Sequence, residues 1–358
     1  MSPTFQLRCV SGDGTEIALP PTLAVYLWAG DDETNGGARL GSVRSALEDA
    51  RDELAMIAPD AVCVHGSPSQ LLARSSDGRT ALEWTVEQLR ALLPAVRVWI
   101  GVGCDGWIGE WRAGLVSDSV VTQPLQRCAA LAAALSCEAL VWNAESRWKH
   151  SPSDARSRAQ LESLARSLMG KLCALAPRCA HVVSSFDHLG FHSAMPFEAL
   201  LSGNVTAYTG QCYVARPGGA QRGALAARIA SALNSQRAAR AAGWLRDDLR
   251  DDNGGDASAH DMDVFATVQL YATDATELTF VLAESPWVLG WSVPLVREGG
   301  RSDPRDVEAA ACASVIRRAV GAGPGAVRRF QQSAHGALVV DGIAGPATRA
   351  FALKNRSA

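Results

Sequence analysis

Aromatic residues are scarce in this chain of 358 residues, making up 6% of it with only four tyrosines, so the ten tryptophans stand out. No Cys-x-x-Cys pair occurs among the nine cysteines (9, 63, 104, 128, 137, 173, 179, 212 and 312). The odd number excludes a fully paired disulfide framework, and the spacing excludes a paired-thiol zinc site. Most lie in apolar runs, so they read as reduced thiols used as small core residues. Residues 1–21 lack a charged stretch followed by an apolar one, so no secretory signal is expected. No apolar run approaches the roughly 20 residues that cross a bilayer, which argues against membrane insertion. Net charge is −3, without the dense Lys/Arg clusters of nucleic-acid binders. His188 and His192 are four apart and could join His65 around a metal, but Gly190 weakens the helix this would need. No metal and no cofactor are expected.

What is abundant is apolar: hydrophobic residues form 47% of the chain, enough for a large core. Short strand-like runs alternate with helical ones. Strands are expected at 23–28, 61–65, 96–102, 139–142, 181–184, 205–208, 265–270 and 288–291. Helices are expected near 43–57, 81–92, 125–135, 154–175, 196–201, 223–242 and 275–283. Buried strands interleaved with helices require a parallel sheet covered on both faces. Eight such units predict an α/β fold, a (β/α)8 TIM barrel, with an open doubly wound sheet as the alternative. Residues 246–263 are acidic and non-periodic and read as a surface loop.

In such a barrel the working residues lie just past the C-terminal ends of the strands. Those positions hold Trp28 and Asp31 after the first strand, His65 after the second, and Asp105, Trp107, Glu110 and Trp111 after the third. Trp142, Asn143, Glu145 and Trp148 follow the fourth, Asp187 the fifth, Gln211 and Tyr213 the sixth, and Trp291 the eighth. Carboxylates and indoles gathered at one mouth suit a sugar polymer, because aromatic faces stack on pyranose rings and carboxyl groups do acid/base work. Glu145 is the leading catalytic candidate: a charged side chain where the apolar run 139–142 ends. Walled by Trp142 and Trp148, it would hold its proton as a general acid must. The competing reading pairs it with Arg147 or Lys149. Asp187 is a second candidate carboxylate, as nucleophile or base.

Two resemblances sharpen this. Asn143-Ala144-Glu145, with Gln211-Cys212-Tyr213 and Trp291, resembles the strand-four Asp-x-Glu and later strands of chitinase-like and Chalaropsis-type lysozyme-like glycoside hydrolases. That likeness implies that Asn143, standing where the family carries Asp, and Tyr213 hold a substrate N-acetyl group during substrate-assisted cleavage. Substrate contacts would come from Asp31, Trp28, Trp107, Trp142, Trp148, Gln211 and Trp291. Near the C-terminus, Phe330-Gln331, then Asp341-Gly342, then Gly345-Pro346-Ala347-Thr348 resembles a small α-helical peptidoglycan-binding domain. That likeness implies wall-binding by Phe330, Gln331, Asp341 and Thr348, with Phe330, Val340, Ile343 and Phe351 closing a small core. Residues 301–358 carry nine Lys+Arg against four Asp+Glu, or +5, leaving 25 against 33, or −8, elsewhere. A basic module on an acidic body suits anionic wall polymers, and a solvated basic face explains the charge as well.

The expected organisation is an N-terminal extension (1–20), a glycoside-hydrolase-like barrel (21–298) and a peptidoglycan-binding-like domain (299–358). The expected function is hydrolysis of the glycan strand of peptidoglycan, as a muramidase or N-acetylglucosaminidase. The expected setting is a phage endolysin or virion-associated protein, made in the cytoplasm and acting at the wall, with phage particle components as further partners. The alternative from another class is a catalytically silent wall-binding or virion structural protein, which Asn143 favours. A metal-dependent amidase or deacetylase rests only on the histidines.

Overall fold

The computed structural model describes residues 7–10, 16–19, 22–28, 43–150, 154–186, 195–202, 205–211, 227, 229–231, 264–268, 275–285, 287–294 and 304–355. β1 (Leu7–Val10) and β2 (Glu16–Leu19) form a separate antiparallel hairpin within the expected extension. The following strands are β3 (Thr22–Trp28), β4 (Ala61–Gly66), β5 (Arg97–Gly103), β6 (Ala139–Asn143), β7 (Ala180–Phe186), β8 (Val205–Gln211), β9 (Val264–Val268) and β10 (Trp287–Pro294). Each pairs in parallel with the next, and β10 pairs with β3, so their order is cyclic rather than open.

The two faces of each strand do different work, as the two-residue period of a strand requires. Leu23, Val25 and Leu27 of β3, Val62 and Val64 of β4, and Leu140 and Trp142 of β6 join the apolar cluster shared with the helices. Their neighbours Ala24, Tyr26, Cys63, Trp99, Val141 and Val182 are equally buried but stand outside that cluster, on the inner face of the ring. Trp99 occupies the N-terminal end of this interior, donating its indole N–H to Glu138 Oε2 at 2.7 Å. Arg97 sits 3.3 Å from the same carboxylate and donates to Thr22 Oγ1, so polar groups close that end.

The flanking helices are α1 (Val43–Asp49), α2 (Arg51–Ile57), α3 (Pro68–Leu72), α4 (Ala81–Leu92), α5 (Ile108–Arg112), α6 (Asp118–Ala134), α7 (Ala155–Leu175), α8 (Phe197–Leu200) and α9 (Ala275–Glu284). Ser67 with Gln70, and Thr80 with Glu83, build reciprocal capping boxes that fix the starts of α3 and α4. The helix expected near 125–135 starts earlier: α6 runs from Asp118 and passes through Pro124. The seven described cysteines are buried and form no disulfide among the described residues, as expected of core thiols.

The last three helices are α10 (Pro304–Val320), α11 (Ala326–Ser333) and α12 (Pro346–Lys354). α10 packs on α9, and it reaches the turn after α2 through Ser314 Oγ and Arg318 Nη1, which donate to Ala58 O at 3.1 and 3.2 Å. Arg317 buries its guanidinium, donating to Leu282 O at 3.0 Å and Ser285 O at 2.7 Å, and burial lowers its pKa to about 10. Residues past the expected boundary at 299 thus begin with a helix fastened to the helical layer around the strands.

Within the C-terminal pair of helices, Phe330 meets Phe351 edge-on at 6.0 Å. Gln331 is the hub. Its Nε2 donates to Asp341 Oδ1 at 2.8 Å, Ile343 O at 3.0 Å and Thr348 Oγ1 at 3.1 Å, and its Oε1 accepts from Gly342 N at 2.8 Å. Gly342 has the positive φ (77°) the Asp-Gly turn was expected to need, and Pro346 opens α12. Two expectations are corrected. Val340 and Ile343 do not close the small core, being 45% and 46% exposed. Phe330, Gln331 and Thr348 are buried, so they hold the turn together from inside and offer a ligand no surface. Asp341 is exposed, but its Oδ1 also accepts from Ile343 N at 2.8 Å. That backbone bond, with the Gln331 amide, holds its carboxyl below the usual range.

Two predictions follow from this packing. Gln331→Ala removes four hydrogen bonds around one turn, and unfolding by urea should show a loss of about 2–4 kcal/mol; an unchanged midpoint would contradict the hub. Burial lowers the pKa of His65 and of His181 from 6.5 to about 4. A histidine buried neutral binds its proton more readily unfolded, so its contribution to stability is complete above about pH 6.5 and is lost as pH falls toward 4. Tm should therefore drop between pH 7 and pH 4.5, and the drop should shrink in His65→Met.

Candidate active site

The C-terminal ends of β6 and β8 bring three of the expected residues together. Glu145 lies two residues beyond Asn143, the last residue of β6, and Gln211 is the last residue of β8. Asn143 Nδ2 donates to Glu145 Oε1 at 2.8 Å, and Gln211 Nε2 donates to the same oxygen at 2.7 Å. Gln211 Nε2 also reaches Asn143 Oδ1 at 2.6 Å. Glu145 is half-buried, and its Oε2 makes no hydrogen bond among the described residues. Nor does the carboxylate pair with Arg147 or Lys149, both of which contact other groups or face solvent; among the described residues it makes no ion pair.

The loop that carries Glu145 is fixed at nearly every residue. Asp105, beyond β5, accepts from Glu145 N at 2.7 Å and from Arg147 N at 3.1 Å, one oxygen to each. Ala144 donates its N–H to Ser184 O at 2.9 Å and accepts at its carbonyl from Ser185 Oγ at 2.5 Å. Arg112 donates to Lys149 O and Ser157 Oγ, bracing the 3-10 turn of Ser146–Trp148. Asp105, Ser184 and Ser185 had no assigned role in the sequence. Asp105 was visible as a strand-end residue, but its two backbone partners follow another strand and no spacing reveals them.

Two expected substrate contacts are corrected. Trp142 is 1% exposed and lies on the helix-facing side of β6, stacked on His181 with ring centroids 6.0 Å apart. Its indole N–H donates to His181 Nδ1 at 3.1 Å, and His181 Nε2 donates to Ala176 O at 2.9 Å. Trp148 is fully buried with its indole N–H on Cys104 O at 3.1 Å. Neither indole walls Glu145: Trp142 is one residue from Asn143 and so faces the other way, and Trp148 folds back under the 3-10 turn.

Other expected residues fall differently. Trp107 is exposed (52%) on the loop after β5 and holds φ +64°, an uncommon conformation for a bulky residue, which costs on the order of 1–3 kcal/mol. Trp28 ends β3 beside His65 at the end of β4. Trp291 lies in β10 where the pairing with β3 shifts register, between Gly290 and Ser292. Asp31, Asp187, Tyr213, His188 and His192 lie outside the described residues. Among the described residues no group of three or more His, Cys, Asp or Glu side chains could hold a metal.

No protein-family model matches the chain, and no curated protein matches it. Solved structures do. An endo-β-1,4-glucanase from Xanthomonas axonopodis pv. citri aligns at 13% identity over 82% of this chain and 98% of that one, with a TM-score of 0.50. An endo-1,4-β-mannanase from Eisenia fetida aligns at 10% identity over 86% and 94% (TM-score 0.47), and a GH18 chitinase from Cycas revoluta at 15% over 61% and 65% (TM-score 0.37). At such identities the likeness is one of fold: the chain has the α/β architecture with a parallel barrel sheet found in glycoside hydrolases.

Removing the Asp105 carboxylate should free the loop. Asp105→Ala is expected to lower the unfolding free energy by about 1–3 kcal/mol by stranding two N–H groups. The amides of Glu145 and Arg147 should then exchange hydrogen faster while those of β6 do not; equal acceleration in β6 would mean general loosening instead.

Proposed function

We propose that the chain is a glycosidase that cuts the glycan strand of peptidoglycan, with Glu145 as the group that protonates the departing glycosidic oxygen. The observation that carries this reading is the placement of Glu145: a half-buried carboxyl at the C-terminal end of the sheet, aimed by Asn143 and Gln211, with Oε2 left for a ligand. General acid catalysis needs a carboxyl fixed at one position beside the scissile bond. Asn143 also stands where it could hold an N-acetyl group, with Tyr213 as its partner, if the substrate's own acetamido attacks the anomeric carbon. Asp187 is the alternative second group; a separation from Glu145 of about 5–5.5 Å would mean retention of configuration and a clearly longer one inversion. The exposed Trp107 is suited to stack on a sugar ring at the rim.

The finer organisation belongs to the same proposal: a complete (β/α)8 TIM barrel over 21–298 and a peptidoglycan-binding-like module over 299–358. The Gln331-centred Asp-Gly turn supports the kinship of that module. Peptidoglycan as partner, the muramidase or N-acetylglucosaminidase type, and a phage endolysin or virion setting reached from the cytoplasm rest on the sequence resemblances. One feature favours the second reading, a catalytically silent wall-binding or virion protein. Asp105, a second carboxylate at this mouth, is occupied with backbone N–H groups.

Dye release from purified sacculi separates the two. The wild-type chain should release dye, and Glu145→Gln should lower the rate by at least about a hundredfold, within the range for loss of a general acid. Sedimentation with sacculi and no release from either chain would establish the binder instead.

A further inference from the structure

Where β3 and β4 end, two polar atoms are sealed and, among the described residues, unpartnered. Trp28 and His65 are cross-strand neighbours, their rings meeting edge-on with centroids 6.5 Å apart, and Tyr26 lies 5.8 Å from the same imidazole. Trp28 Nε1 and His65 Nδ1 are both buried, and neither has a hydrogen-bond partner among the described residues. His65 is 6% exposed, and burial keeps it neutral, with its pKa lowered to about 4. The imidazole fits only because its neighbour on β5 is Gly101: a Cβ there would fall 2.4 Å from His65 Cδ2. Buried polar groups are nearly always hydrogen-bonded, and an orphan costs about 1–3 kcal/mol. Two orphans side by side at the C-terminal rim, with a glycine making room for one of them, describe half of a contact whose other half comes from a ligand.

The chemistry of that ligand follows from the pair. A neutral imidazole does not match a carboxylate or phosphate, and the aromatic walls do not solvate an ion. Indole offers a donor, while His65 Nδ1 can accept when the proton sits on Nε2. The complement is an uncharged group with an acceptor and a donor on separate atoms. We infer that Trp28 and His65 form a recognition subsite for the acetamido group of an N-acetylated sugar. The acetamido carbonyl accepts from the Trp28 N–H, and the acetamido N–H donates to His65 Nδ1. This subsite is separate from the Asn143–Glu145–Gln211 cluster, and it rests on the reading of the chain as a protein that binds amino-sugar polymers.

The test uses the full chain carrying Glu145→Gln, titrated calorimetrically with chitotetraose and with cellotetraose, alone and with Trp28→Phe or His65→Phe added. Trp28→Phe keeps one aromatic ring and removes the N–H together with the rest of the fused indole. Each addition should weaken chitotetraose binding about tenfold, the loss of one hydrogen bond to a buried group, and leave cellotetraose unaffected. Tm without sugar should not fall in His65→Phe, which removes an orphan and keeps a ring of similar size; a structural role for the imidazole predicts a fall. Undiminished chitotetraose binding by both variants would overturn the subsite and leave the glycosidase reading standing. Equal weakening for the two sugars would overturn the acetamido assignment. Binding of neither sugar by the Glu145→Gln chain would overturn the subsite together with the amino-sugar reading beneath it.

Discussion

The carboxylate of Glu145 keeps its position only if β6 and β8, which are not neighbours in the sheet, hold their C-terminal ends a hydrogen bond apart. β7 lies between them, paired through Asn143 with Ser184 on one side and Phe186 with Gln211 on the other. The curvature of the ring brings Asn143 and Gln211 to the same oxygen. A flatter sheet would spread those residues by roughly two strand spacings, close to 10 Å. Fixing the site therefore falls to closure of the sheet, and the small groups on β7, Ser184 and Ser185, serve to tie down the backbone between. Asp105 completes the arrangement from β5, so consecutive strands each supply one restraint on a single loop. A group held this way loses little conformational freedom when a substrate arrives.

The strands were legible because each is an apolar run bounded by polar residues, and the observed ranges differ from the expected ones by a few residues at most. Glu145, Asn143 and Gln211 were legible for the same reason: a polar side chain ending such a run has to face the mouth. The faces were harder to read. Trp142 and Asn143 are adjacent, and adjacent strand residues point oppositely, so one had to belong to the helix layer. The tryptophan went there because its single N–H found His181, whose other nitrogen found Ala176 O. The first of those bonds joins residues 39 positions apart, which periodicity does not report.

The C-terminal motif shows the same limit in another form. Phe-Gln, Asp-Gly and Gly-Pro-x-Thr were recognisable because they build one turn, and Gln331 satisfies four groups of that turn at once. A motif of this kind marks a structure, and its residues are spent inside it. Nor did composition reveal how the segment is attached. Glu284 of α9 accepts from the N–H groups of Gly325 and Val327, capping the first turn of α11 where the helix dipole favours a carboxylate. Arg349 of α12 donates to Thr276 Oγ1 at 2.8 Å and Ala344 O at 3.1 Å, tying α12 to the start of α9. Polar contacts at both ends of α9 connect the terminal helices to the layer outside the strands.

The mouth thus contains two regions with opposite hydrogen-bond states. Around Glu145 the donors and acceptors of Asn143, Gln211 and Asp105 are matched to one another, so the geometry persists without a ligand and binding contributes little to forming it. Trp28 Nε1 and His65 Nδ1 are unmatched among the described residues, which carries a desolvation cost. On the proposed function, affinity and orientation fall to different strands: β3 and β4 would gain on binding, while β6 and β8 hold Glu145 still. Gly101 stands in the middle of β5, where a glycine weakens a strand, and makes the room the His65 imidazole needs. Burial keeps that imidazole neutral, and on the proposed reading its Nδ1 meets the ligand.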